Sequence, residues 1–178
     1  MRFWFDTEFI EDGRTIDLIS IGIVSEDGRE YYAVSREFNP KKAGDWVRDN
    51  VLSKLGDVPR KKRREIRDEV RQFLGSHPEV WGYYCDYDWV VLCQLFGRMV
   101  DLPEDWPKFC LDIKQLCIQK GDPVLPNQDE GEHNALSDAR WNMIAWDFLM
   151  GAEANYNQRL DVALQRPLNL SAYPWQTL

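Results

Sequence analysis

The stretch DLISIGIV, Asp17 to Val24, constrains this chain more than any other. It is apolar and rich in β-branched residues, so it reads as a strand buried within a sheet rather than lying on its surface. The segment Ser25 to Gly28 follows with an Asp-Gly turn signal, and Arg29 to Phe38 is the next expected strand. On the other side, Arg2 to Asp6 alternates with aromatics and ends at the first acid, and Glu11 to Arg14 is the expected turn. Three antiparallel strands in order are therefore predicted, and such a sheet needs further layers to cover it.

The remainder of the chain provides those layers. Residues Pro40 to Leu55 have helical apolar spacing, and a second helix is expected from Pro59 or Arg60 to Leu74 through Ile66, Val70, Phe73 and Leu74. Glu79 to Tyr84 reads as a short strand, Asp88 to Val100 as a helix, Phe109 to Leu111 as a short strand and Asp112 to Gln119 as a helix. After the polar loop Asn127 to Glu132, a strong helix runs from near Asn134 to Leu149, with Gly151 as its stop. Ala152 to Leu164 is read as one more helix and Arg166 to Leu178 as a tail or arm. The predicted class is α/β, a mixed sheet flanked by helices, with residues 1–150 as one domain and 151–178 as a C-terminal helix and arm packed on the domain or on a partner subunit.

Bulk properties exclude several classes. No apolar run reaches the ~20 residues of a membrane span, and MRFWFDTEF, with acids among its first residues and no small-residue cleavage site, is not expected to be a signal peptide. Cys85, Cys93, Cys110 and Cys117 form no C-x-x-C pair and sit in apolar stretches, so free thiols in a reducing cytoplasm are expected. Only His77 and His133 offer imidazoles, and neither is spaced for a zinc site. The formal net charge is −8. That opposes tight, non-specific duplex binding but not the capture of a short strand end where metal ions supply positive charge.

Acidic residues recur in three distant motifs: FWFDTEF with Asp6 and Glu8, YYCDYDWVVL with Asp86 and Asp88, and HNALSDAR with His133 and Asp138. Asp6 and Glu8 stand at i and i+2, which on a strand places both on one face. Two adjacent carboxylates repel unless cations lie between them. Asp88 begins the expected helix, where capping is the ordinary role of an aspartate, and Asp86 competes for that role. His133 stands at a loop-to-helix junction, five residues before Asp138, a sensible way to deliver a general base beside a helix carboxylate. Four carboxylates from three elements can bind two Mg²⁺ or Mn²⁺ ions, whose hard character suits oxygen ligands, for phosphodiester hydrolysis.

FDTEF, YDWVVL and HNALSDAR resemble the three motifs of the DEDDh group of 3′→5′ exonucleases in the ribonuclease H-like superfamily, over about Arg2 to Leu149. More narrowly, FDTEFIEDGRTIDLISIGIVSEDGREYYAVS and VLCQLFG are similar to the small actinobacterial 3′→5′ exoribonuclease branch. The resemblance implies Asp6 and Glu8 as first-motif ligands with Asp6 bridging both metals, Asp88 as the middle ligand, Asp138 as the last and His133 as the base. The middle role falls on Asp88 because Tyr87-Asp88 matches the family's aromatic-Asp step better than Cys85-Asp86. It also implies release of nucleoside 5′-monophosphates from the 3′ ends of single-stranded RNA, and a homodimer. The motifs alone leave a single-strand DNA exonuclease, an inactive nucleic-acid-binding module and a purely structural partner protein open as alternatives.

Two further features bear on substrate. Phe9, next to Glu8, and Trp89, next to Asp88, are candidate base-stacking aromatics that serve equally well as core residues. The run PRKKRREIR, Pro59 to Arg67, is a candidate phosphate-tracking surface whose ordinary role is a solvated helix face.

Overall fold

The computed structural model describes residues 1–128 and 131–151. The helix expected at Ala152 to Leu164, the tail, and Asp129 and Glu130 of the polar loop lie outside the described residues. The central strand forms as its composition demands: β2 (Ile16–Ser25) is buried along most of its length between β1 (Arg2–Glu11) and β3 (Glu30–Ser35). Gly28 closes the β2–β3 turn at φ 84, a conformation that favours glycine, and donates its N–H to the Ser25 carbonyl at 2.9 Å. Both pairings are antiparallel, as expected.

The sheet then extends on both sides with parallel strands. β4 (Arg60–Lys61) pairs with β3, β5 (Glu79–Gly82) with β1, and β6 (Leu111–Asp112) with β5. The order is β4-β3-β2-β1-β5-β6, a mixed six-stranded sheet. Five α-helices are described: α1 (Asp45–Asn50), α2 (Arg63–Leu74), α3 (Asp86–Phe96), α4 (Ile113–Gln119) and α5 (Ala135–Leu149). This α/β arrangement is consistent with the ribonuclease H-like architecture expected from the motifs.

Alternation along β1 splits the core in two. Phe3 and Phe5 pack on one face with Ile66 and Val70 of α2 and Leu92 of α3, whereas Trp4 and Ile10 pack on the other with Ala139 and Met143 of α5. Cys85, Cys93 and Cys117 are buried, Cys110 partly so, and all four are free. No described helix is long and apolar enough to cross a membrane.

Several boundaries differ from expectation for physical reasons. β1 does not end at Asp6 but continues to Glu11, with a bulge between Glu8 and Phe9. The helix expected over Pro40 to Leu55 is broken into a 3-10 turn at Pro40–Lys42, the short α1, and a second 3-10 turn at Leu52–Lys54, because Gly44 is extended and starts α1 afresh. Arg60 and Lys61 form an edge strand, and α2 starts only at Arg63. The helix carrying Asp88 begins at Asp86 and ends at Phe96, before Gly97 at φ 123.

Candidate active site

The carboxylates converge because three elements meet at the C-terminal half of β1. Asp6 and Glu8 share the β1 face that α5 covers, and both are partly buried. Opposite Asp6 on β2 stands Gly22. A Cβ there would lie 2.2 Å from the Ala135 carbonyl oxygen, so the start of α5 rests directly on the β2 backbone. That close approach brings Asp138, in the first turn of α5, to Glu8, with which it shares a hydrogen bond. Asn134 caps the helix through its side-chain oxygen, accepting from the N–H groups of Leu136 at 3.2 Å and Ser137 at 3.3 Å.

Asp88 arrives from the other face of the sheet. It is the third residue of α3 rather than its cap, and it is only 7% exposed. One carboxylate oxygen accepts from the Thr7 backbone N–H at 2.9 Å and the Thr7 hydroxyl at 2.6 Å. Thr7, between the two acids of β1, points to the α3 face and so ties the middle motif to the first. Asp86 stands exposed at the start of α3.

His133 precedes α5 at φ 66, a left-handed conformation uncommon for a residue with a side chain. Its backbone N–H donates to the Asp138 carboxylate, and Gln128 donates its side-chain amide to the same group. Ligand atoms of Glu8, His133 and Asp138 all lie within 4.8 Å of one another.

The acids strongly perturb each other. Burial, then the charges of Asp88, Asp138 and Glu8, hold the Asp6 carboxyl well above the usual carboxylate range. Glu8 is pushed up to about 8 by burial and by Asp138, with Lys54 acting in the opposite direction. Asp88 and Asp138 rise to about 6 through burial, against the hydrogen bonds from Thr7 and from Gln128, Glu8 and the His133 N–H respectively. A cluster of buried oxygens that resist ionisation together fits the requirement of a hard divalent cation, which favours all their charged forms at once. Asp6, His133 and Asp138 line a cleft of about 500 Å³ whose other walls include Tyr83, Trp141, Leu125, Lys114 and Asp122.

The other expected site residues fall differently. Phe9 is partly buried and meets the exposed Tyr87 edge-on, ring centroids 5.9 Å apart. Trp89 is 8% exposed and packs edge-on against Phe5, so its place is the core and not a surface for a base. Within the basic run, Lys61 pairs with Glu69 at 2.7 Å, Arg67 with Asp68 at 2.7 Å, and Arg63 with Asp17, leaving Arg60, which lies over the Phe38 ring, with Lys62 and Arg64 as exposed cations. Thr7, Gln128, Lys54 and Gly22 were not singled out from the sequence. Only Gly22 carried a readable signal, as an isolated glycine inside a β-branched strand.

Comparison with known proteins adds an independent line. A family model described as the 3′-5′ exoribonuclease Rv2179c-like domain matches residues 1–150. Two relatives from Mycobacterium tuberculosis are each 49% identical over 147 residues, spanning 79% of this chain and 88% of theirs. They are the 3′-5′ exoribonuclease MT2234.1 of strain CDC 1551 / Oshkosh and the 3′-5′ exoribonuclease Rv2179c of strain ATCC 25618 / H37Rv.

Proposed function

The chain belongs to the Rv2179c-like 3′-5′ exoribonuclease family, and from that premise we propose that it is a DEDDh-type nuclease of the ribonuclease H-like superfamily that trims single-stranded RNA from the 3′ end. The observation that carries this reading is the convergence of acids from β1, α3 and α5 beside one imidazole, with Glu8, His133 and Asp138 donor atoms within 4.8 Å. Asp6, Glu8, Asp88 and Asp138 would hold two Mg²⁺ or Mn²⁺ ions. When bound, such ions supply Lewis acidity toward the phosphodiester and offset its charge.

The chain's own groups do the rest. His133 accepts a proton at an imidazole nitrogen from the attacking water. The water oxygen bonds to phosphorus, the bond from phosphorus to the 3′-oxygen of the preceding nucleotide breaks, that oxygen takes a proton from solvent to become the new 3′-hydroxyl, and the terminal nucleotide departs as a 5′-monophosphate. Thr7 keeps Asp88 turned toward the cluster, and Gln128 does the same for Asp138. Phe9, with Tyr87 behind it, offers a ring for a terminal base. The protein would work in the cytoplasm, as a homodimer.

A digest of matched RNA and DNA oligomers, with free and blocked 3′ ends, tests this. Free-ended RNA should yield nucleoside 5′-monophosphates with Mg²⁺ or Mn²⁺ and nothing in EDTA. Hydrolysis of blocked ends at an equal rate would overturn the 3′-end reading, and activity surviving chelation would overturn the metal reading. Faster digestion of DNA would move the substrate class.

A further inference from the structure

We propose that Trp46 and Lys54 are positioning residues that grip the loop carrying His133. The proposal rests on the reading of His133 as the general base. Neither residue belongs to the three acidic motifs, and both come from the irregular segment between β3 and β4.

The His133 loop needs holding. Residue 133 sits at φ 66, where a side chain is disfavoured, at the turn between a polar loop and the first turn of α5. On its C-terminal side the chain is fixed by the Asn134 cap. On its N-terminal side the Lys54 ammonium donates to the Glu132 carbonyl at 2.7 Å. The imidazole itself meets the Trp46 indole edge-to-face, with ring centroids 4.7 Å apart and planes at 77°. The backbone before the base, the backbone after it and its ring thus each have a separate restraint, and two of the three come from the same short segment.

That segment has the anchorage to act as a support. Ala43, Val51 and Leu55 are buried against the core face that also holds Ala135 and Leu136 of α5. Trp46, in contrast, is 56% exposed. A large aromatic left that open contributes little to folding, and its ordered contact is with the imidazole. Lys54 has a second effect, since its charge acts on Glu8 against the repulsion of the other acids. Trp46 is therefore the cleaner probe of positioning and Lys54 the supporting one.

The test is a double-mutant cycle on a short RNA substrate, with kcat and KM measured separately for W46A, W46F, K54M, K54R, H133A and W46A/H133A. Trp46→Ala should lower kcat about tenfold, the scale of coupling between residues in contact, and leave KM within about twofold. Trp46→Phe, which keeps a ring, should restore most of the loss, and Lys54→Arg should be milder than Lys54→Met. In the H133A background, Trp46→Ala should cost nothing further. The thermal midpoint of W46A should match that of the unaltered protein. An equal cost of Trp46→Ala with and without His133 would overturn the proposal. So would a loss confined to KM, which would make Trp46 a substrate contact. The underlying reading fails separately: wild-type kcat in H133A would remove His133 as base, whatever Trp46 does.

Discussion

Two positions on α5, two residues apart, show opposite treatments of charge. Arg140 reaches β3 and donates twice to Glu30, at 2.9 and 2.8 Å, in a largely buried ion pair. Asp138 reaches β1 instead and meets Glu8, within the field of Asp6, with no ion pair to a Lys or Arg among the described residues. The first contact is neutralised in place and fastens helix to sheet. The second gathers several carboxyl oxygens in a partly dry site, which is unfavourable for folding and which, on the proposed function, serves a cation and its substrate. One helix thus carries a structural clamp and, on the proposed function, a reactive group two residues away.

The largest effect should come from breaking the reactive half. Asp138→Asn keeps an acceptor for Gln128 but removes the charge, and should reduce RNA hydrolysis by at least about 10³-fold, on the scale of lost transition-state electrostatics. The same variant should raise the thermal midpoint in EDTA, because a repelling charge has gone. A lower midpoint would show that the acid is structural.

Breaking the clamp should do the reverse. Arg140→Met leaves Glu30 without its guanidinium and should destabilise the fold by about 3–5 kcal/mol. At a temperature where the variant stays folded, its kcat should be close to normal. Chemical denaturation alongside single-temperature kinetics would check both parts.

A smaller effect sharpens the contrast through pH. The site carboxyls have folded values above their unfolded ones: Asp88 and Asp138 about 6, Glu8 about 8, Asp6 also raised. The folded state therefore retains protons that the unfolded chain releases, and this contribution to stability is full below about pH 4 and is lost as pH rises through 6 to 8. In EDTA the thermal midpoint should fall by a few degrees across that window. Added Mn²⁺ should raise it more at pH 8 than at pH 5.5. A metal effect independent of pH would break the link between the acids and the cation.

The smallest predicted change concerns Thr7. Thr7→Val removes the hydroxyl donor at 2.6 Å from Asp88 but keeps the backbone donor. It should cost about 1 kcal/mol of stability and slow hydrolysis a few-fold, measured under the same conditions as D138N. Unchanged kinetics would mean that α3 alone fixes Asp88.

What could be read from the sequence follows from the range of each interaction. The strand register around DLISIGIV and the shared face of Asp6 and Glu8 depend on a period of two and a local turn, so they were legible. So was the pairing of His133 with Asp138, which one helix start holds together. The support of Asp88 by Thr7 was not, because 81 residues separate them and a threonine between two acids looks like a spacer. The β4 strand was hidden in a basic run because two residues give no period, and its pairing with Val34 and Ser35 is purely tertiary. The candidacy of Trp89 failed for a related reason. Adjacency to Asp88 in sequence does not carry over to direction in a helix, where the next residue points about 100° away, here into the core.

If the acids hold a cation as proposed, Gly22 has a consequence for ion discrimination. The separation between β1 and the first turn of α5 would decide how large an ion the oxygens of Glu8 and Asp138 could embrace, and that separation is fixed behind them, by the bare backbone of a strand that contributes no oxygen of its own. On the proposed chemistry, preference for a small ionic radius would thus be delegated to a residue that never meets the ion, and one added methyl group, set 2.2 Å from the Ala135 carbonyl oxygen, would force the start of α5 off the sheet and carry Asp138 with it.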